Sequence, residues 1–329
     1  MNTIIVIGLG SMGRRRIRLM RALNNANLKI IGVDISPMRR KTVAEEFGIT
    51  TEENIVLAVG KYNPSIAFVC TSPASHEKIV LQCIEYGMHI FSEINLLSSW
   101  YDKAIGKAVK KNVKLFMSST FLYRKEIEYI INAATNDTVN YIYHSGQYLP
   151  DWHPWESYKD FFVSNKKTNA CREILAIELP WIVRAFGEIE SMHVLKGKNS
   201  SLDIDFNDNY MIAIKHEKGN KGIFCQDIIS RNGLRRLEMY SERQHLFWDG
   251  TPQSLLEYDI TNKELVNVKL YKNFEQLSDY NANIVEDAYK EEVKEFFEFL
   301  TGHVAPRYSF AEDKKILELI DGIENGAYG

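Results

Sequence analysis

The stretch TIIVIGLGSMG (residues 3–13) sets four apolar residues, Ile4 to Ile7, directly before three glycines spaced G-x-G-x-x-G. A continuous apolar run is what a parallel strand buried on both faces requires. Gly8 then makes a tight turn, and Gly10 lets a ligand approach the backbone. Gly13 allows the next helix to pack closely on the strand. That helix offers its free N–H groups and the positive end of its dipole to an anionic pyrophosphate. The next strand, LKIIGVD (28–34), ends in Asp34, 21 residues after Gly13. A carboxylate there accepts hydrogen bonds from a ribose diol and repels a 2′-phosphate. The pattern predicts a dinucleotide site at Gly8, Gly10, Ser11, Met12, Gly13 and Asp34 that takes NAD, while Arg39 and Arg40 keep NADP open.

The alternation continues along the first third. Helical stretches over 11–24 and 37–47 are followed by the strand SIAFVCTS (65–72) and a helix over 74–86 that stops at Gly87. HIFSE (89–93), a helix over 99–111 and KLFMSST (114–120) complete the series. Strands alternating with helices predict a parallel sheet with right-handed crossovers.

After residue 121 the pattern changes. A helix over 122–135 leads to VNYIYHSGQY (139–148), then to a long aromatic and polar loop (149–170). A loop of this length inside a compact domain points to function. The helix CREILAIELPWIVRAFG (171–187) has Pro180 inside it or breaking it. Strand-like segments joined by turn signals fill 191–270. A helix over 284–301 and a shorter one from 310 close the chain. The expected class is α/β. A Rossmann domain (1–121) precedes an α+β domain (122–329) with a large, mostly antiparallel open sheet.

Lys plus Arg number 40 against 43 Asp plus Glu, for a net charge of −3. That balance gives no electrostatic reason to expect nucleic acid or an anionic membrane as partner. No run of about 18 apolar residues occurs to span a bilayer. Cys70, Cys83, Cys171 and Cys225 form no metal-ligand spacing and read as reduced thiols of a cytoplasmic protein.

These residues resemble the Gfo/Idh/MocA oxidoreductases, the glucose–fructose oxidoreductase and inositol dehydrogenase group, across nearly the whole chain. GLGSMG matches the group's nucleotide fingerprint. IAFVCTSPASH (66–76) resembles its strand ending in T-P…H, which implies that Thr71, Pro73 and His76 face the cofactor. YKEEVKEFFEFLTGHVAPRYSFAED (289–313) resembles its C-terminal helix and "G…P" pattern. The resemblance implies NAD(P)-dependent oxidation or reduction of a sugar, sugar-nucleotide or cyclitol hydroxyl. It also implies a homodimer or homotetramer built through the second sheet. The competing reading is a dinucleotide-binding protein without turnover, such as a sensor or partner subunit.

Two departures bear on chemistry. The group's strand ending in E-K-P, with its catalytic lysine, corresponds here to Glu93-Ile94-Asn95. Its later helix carries a histidine with an aspartate three residues on; alignment back from Phe186-Gly187 puts Ile177 and Pro180 there. Glu93 is still expected beside the cofactor. The proton carrier has to be sought among His153, Glu173 and Glu178, of which only histidine titrates near neutrality without perturbation. These three are expected to converge on one cleft facing the glycine turn, with His153 as carrier. Glu178 shares a helical face with Ile174 and Trp181, and the bland reading of it is a structural ion pair with an arginine. Trp152 and Trp155 are candidate sugar platforms, and Arg172, Tyr123 and Lys166 candidate substrate contacts.

Overall fold

The computed structural model describes residues 2–23, 28–153, 156–271 and 284–327. It divides into two compact units, Met1–Thr120 with Tyr289–Lys315 and Phe121–Ala288 with Ile316–Gly329. The elements run β1 (Asn2–Ile7), α1 (Ser11–Ala22), β2 (Leu28–Val33), α2 (Pro37–Phe47), β3 (Thr50–Glu52), α3 (Ile55–Tyr62), β4 (Ile66–Val69), α4 (His76–Glu85), β5 (His89–Ser92), α5 (Tyr101–Lys111) and β6 (Leu115–Met117). Then follow α6 (Lys125–Thr135), β7 (Asn140–Gly146), α7 (Ala170–Phe186), β8 (Ile189–Gly197), β9 (Asn209–His216), β10 (Lys221–Asp227), β11 (Leu234–Tyr240) and β12 (His245–Trp248). β13 (Leu256–Asp259), β14 (Glu264–Asn267), α8 (Glu286–Thr301) and α9 (Phe310–Asn325) close the chain.

In the first unit the described strands form a parallel sheet in the order β3-β2-β1-β4-β5-β6. This is the doubly wound arrangement the alternation predicts, with the strand order reversing beside β1. The short edge strand β3 and the eight-residue α3 were not foreseen. Asn54 caps α3 by accepting from the Leu57 N–H. Every residue of β4 is buried, as are Ile4, Ile5 and Val6 of β1. Parallel register sets Phe68, Phe91 and Phe116 side by side on β4, β5 and β6, with stacked rings 4.7 and 5.2 Å apart. Phe296 of α8 meets all three edge-on at 5.3–5.4 Å. Fully burying one such side chain contributes about 1.5–3 kcal/mol, so this cluster anchors α8 to the sheet.

Beside it lies a buried charge cluster. Arg16 of α1 pairs with Glu93 at 2.5 Å and with Glu292 of α8 at 2.7 Å. Glu292 also accepts from Ser118 Oγ, Thr120 Oγ1 and the Ser119 N–H. Burial works against the Arg16 charge, but Glu93 and Glu292 more than offset it and raise its pKa. Burial also lifts the Glu292 carboxyl above the usual range, against the pull of Arg16.

In the second unit the described strands run β14-β13-β12-β11-β7-β10-β9-β8. The pairing is antiparallel except between β7 and β10, which are parallel. One face carries Tyr141, stacked on Phe186 of α7 at 4.0 Å, and Tyr143, edge-on to Trp181 at 5.0 Å. The alternation along β7, β9 and β10 turns Ile142, Met211 and Ile223 to the other face, where they stay largely exposed. α7 runs continuously through Pro180. The 149–170 loop is a series of short 3-10 turns, and α9 is as long as α8, 16 residues each. All four cysteines are free. No helix among the described residues is long and apolar enough to cross a membrane.

Candidate functional site

The glycine turn has the geometry its residues require. Gly8 has φ +90°, and a Cβ there would lie 2.8 Å from the Cys70 carbonyl and from Thr71 Cγ2. A Cβ at Gly13 would lie 1.9 Å from the Gly8 oxygen, so helix and strand could not approach this closely with any other residue. At Gly10 a Cβ would meet open space. Gly10 caps α1 without a side-chain partner, which leaves the first N–H groups of the helix for a ligand. Ser11 is exposed and Met12 part-buried beside them.

Asp34 is buried at the end of β2. Its Oδ2 accepts from the Leu9 N–H and its Oδ1 from the Ser36 N–H, each at 2.8 Å. Each carboxylate oxygen retains acceptor capacity for a ribose hydroxyl. Arg40 spends its guanidinium on the carbonyls of Asp34 and Ile35, whereas Arg39 is exposed with Nη1 3.9 Å from Asp34. Of the two arginines that left NADP open, Arg39 is the one not bound to the strand-end carbonyls.

Thr71, Pro73 and His76 form the loop from β4 into α4, packed against the glycine turn through Thr71. His76 is fully buried and bonds Thr71 O and Asn95. Glu93 gives both oxygens to Arg16, so its first role is structural. Ile94 is part-exposed at the strand end and Asn95 is buried.

In the second unit, the three proton-carrier candidates have different surroundings. Both oxygens of Glu178 are occupied: Oε1 by Ser145 (3.2 Å) and Arg235 (2.8 Å), Oε2 by Tyr143 and Trp181 (both 2.7 Å). It is the ion pair with an arginine that the bland reading named. Glu173 lies five residues earlier, roughly 140° around α7, on the face of Ile177 and Pro180. It is part-exposed as a residue, yet its Oε2 is enclosed and finds no hydrogen-bond partner among the described residues. Burial pushes its carboxyl up to about 7. His153 sits in the loop with Nδ1 3.0 Å from Glu156 and its ring against Phe161 at 4.7 Å. Trp152 donates to Gln147 O and lines the same small pocket as His153, Tyr158 and Phe161. Trp155 lies outside the described residues.

Arg172 does not face open space. It is buried and bridges to Glu324 and to Asp321 (2.6 Å) of α9, while Asn169 caps its helix. Its expected role as a substrate contact is therefore replaced by an anchor for α9. Lys166 is exposed and Tyr123 buried. The structural partners of Glu178 and Arg172 were missed because they come from distant strands and the C-terminal helix.

The glycine turn, the open helix terminus and the strand-end aspartate together make up the nucleotide site of an NAD-binding Rossmann domain. Residues 3–117 match the oxidoreductase family with NAD-binding Rossmann fold called Gfo/Idh/MocA. No curated protein matches the chain in sequence. Among solved structures, it is similar to UDP-N-acetylglucosamine 3-dehydrogenase from Acidithiobacillus ferrooxidans (15% identity, TM-score 0.79, covering 98% of this chain and 96% of that one). It also resembles the WlbA dehydrogenase from Chromobacterium violaceum in complex with NADH and UDP-GlcNAcA (13%, 0.77, 99% and 94%). A third is levoglucosan dehydrogenase in complex with NADH and L-sorbose (14%, 0.81, 99% and 97%). At these identities the likeness is one of fold.

Proposed function

We propose that the protein is an NAD-dependent oxidoreductase of a sugar, sugar-nucleotide or cyclitol hydroxyl, with Glu173 as proton carrier in place of the group's lysine and histidine. The observation that carries this is the Glu173 carboxyl itself: enclosed, with an unpartnered oxygen, and titrating near neutrality. A general acid–base works best when its pKa lies near the operating pH. In the oxidative direction the Glu173 carboxylate takes the proton of the substrate hydroxyl; in the reductive direction the protonated form returns it to the carbonyl oxygen. NAD, when bound, supplies the hydride acceptor. Gly10, the α1 N-terminus and Asp34 hold its pyrophosphate and adenosine ribose. The sugar class is supported by the sugar-type ligands of the similar dehydrogenases.

Glu173→Gln keeps the side-chain shape and removes the titration. It is expected to lower turnover about 10²–10⁴-fold, the usual range for one acid–base group, with NADH affinity unchanged. The assay follows reduced-nicotinamide absorbance over a panel of sugars and sugar nucleotides. A wild-type protein that binds NADH and turns over none of the panel would favour the reading of a nucleotide-binding protein without turnover.

Self-association through the second sheet is supported by its open face. Leu195, Met211, Ile223 and Ile142 stay 60, 55, 46 and 44% exposed there. Contiguous apolar surface of this kind marks a contact face. Light scattering on the purified protein should return a dimer or tetramer, and a monomer at high concentration counts against it.

A further inference from the structure

We propose that Asn95, Tyr101 and Asp313 form a buried hydrogen-bonded chain that positions His76, and through it Thr71, whose Cγ2 packs against the glycine turn that receives the dinucleotide. The inference rests on NAD binding, not on the identity of the substrate or of the proton carrier.

The chain lies wholly within the first unit. His76 Nε2 is 2.8 Å from the Thr71 carbonyl oxygen. A carbonyl only accepts, so Nε2 carries the proton. Nδ1 contacts Oδ1 of the Asn95 side-chain amide. The other end of that amide faces Ser92 Oγ, Met117 Sδ and the Tyr101 hydroxyl. Tyr101 bonds one oxygen of Asp313, and the Tyr308 hydroxyl donates to the other at 3.0 Å. His76, Asn95, Tyr101 and Asp313 are all at most 2% exposed.

Donors and acceptors along such a chain have to run in one direction. Burial lowers the His76 pKa and so favours the neutral ring, whose Nδ1 must accept. The structure holds Asn95 with Oδ1 toward His76, the orientation that asks for a second proton on the ring. The neutral ring is matched when the amide turns over, with NH2 toward His76 and the oxygen toward Tyr101, whose O–H then donates to it. The Tyr101 O–H, which in the structure donates to Asp313 Oδ2, is free to turn to Asn95 only when Asp313 carries a proton and donates to it; burial pushes that carboxyl up to about 7. In that arrangement donation runs in the order Asp313, Tyr101, Asn95, His76, Thr71. Ionising Asp313 turns the Tyr101 O–H back to the carboxylate. Asn95 then rotates its oxygen toward His76 and calls for a second proton on the ring. The charged groups near the two ends are few. Glu93, itself held by Arg16, acts on His76, while Asp313 is faced by Tyr101 and Tyr308. Asn95 stands where the family pattern has proline, which could not carry the chain.

The test uses full-length protein, NADH affinity by fluorescence titration, and the ring-nitrogen NMR shifts of His76. Tyr101→Phe keeps the ring and removes the link. It should shift the His76 nitrogen signals and weaken NADH binding about fivefold, the equivalent of one buried hydrogen bond. Asp313→Asn, whose NH2 donates to Tyr101 as the protonated acid does, should keep wild-type affinity and abolish its loss as pH rises through about 7. Unmoved His76 signals and affinity within about twofold of wild type in folded Tyr101→Phe would overturn the proposal. So would an Asp313→Asn protein that keeps the wild-type pH profile.

Discussion

Arg16 and Glu93 are joined by a twin hydrogen bond, Nε to Oε1 at 2.5 Å and Nη2 to Oε2 at 3.2 Å, between the glycine-turn helix and the end of β5. Glu292 closes the cluster from α8, on the segment that returns to the first unit from the C-terminus. The strand end that carries Ile94, where the resembled group has its lysine, is thus fixed by a buried ion cluster. Removing the cation leaves two carboxylates uncompensated, which costs about 3–5 kcal/mol in buried pairs. Arg16→Met should therefore lower the urea midpoint sharply. Adding Glu292→Gln should restore part of the loss. A single variant as stable as wild type would mean that the cluster is solvated in solution.

Asp34 should decide the cofactor. Arg40 is committed to strand-end carbonyls and Asp34 still has acceptor capacity, so NADH should bind more tightly than NADPH. Asp34→Ser should narrow the gap. Calorimetry showing a wild-type preference for NADPH of about tenfold, or 1.4 kcal/mol, would reverse the assignment and make Arg39 the residue to test.

Glu178 should behave as a structural residue. Glu178→Ala strands the buried Tyr143 hydroxyl, the Trp181 N–H and a largely buried guanidinium. Breaking a buried pair from one side costs about 3–5 kcal/mol. Thermal melting should show the loss. A Glu178→Ala protein with wild-type stability and lost turnover would return Glu178 to the catalytic candidates.

Ile94→Lys tests the departure at the strand end. Ile94 is part-exposed, so a lysine can send its ammonium to water while its stem covers the same surface. The melting temperature should change little. A collapse in stability would show that Ile94 packs as core.

These residues also mark how far the sequence could be read. The glycine turn and Asp34 were legible because each demand is local: a positive φ at Gly8, a close contact at Gly13, an acid at a strand end. The small helix α3 escaped because eight residues carry too short a period. The parallel pairing of β7 with β10 joins segments about 80 residues apart, and periodicity along a strand says nothing of its neighbour's direction. Two partners of Glu178, Tyr143 and Arg235, sit 35 and 57 residues away, so an ion pair could be named from the sequence but not which arginine makes it. The return of Tyr289–Lys315 to the first unit has no local signature, and it brings both Glu292 and Asp313. Glu173 was singled out for its place at a helix start; its enclosed oxygen depends on packing no pattern reports.

Stability should fall as pH rises from about 4 to about 7 on account of Asp313. Its carboxyl titrates at about 7 in the fold because burial disfavours the ion, against about 3.9 in an unfolded chain. Between those values the folded state binds the extra proton. The slope of unfolding free energy is then negative, by up to about 1.4 kcal/mol per pH unit for one whole proton. The contribution is complete below about pH 4 and is lost as pH passes through the folded value. Glu173, raised to about 7 by the same cause, acts in the same sense, while the lowered pKa of His76 works the other way, removing stability as pH falls below the ordinary imidazole value. Asp313→Asn removes one titration and leaves the other two. Relative to wild type, the variant should gain roughly 1–3 kcal/mol between about pH 5 and about pH 8, read from urea midpoints at both values. A wild-type-to-variant difference that does not change with pH would show that Asp313 is ionised in the fold throughout.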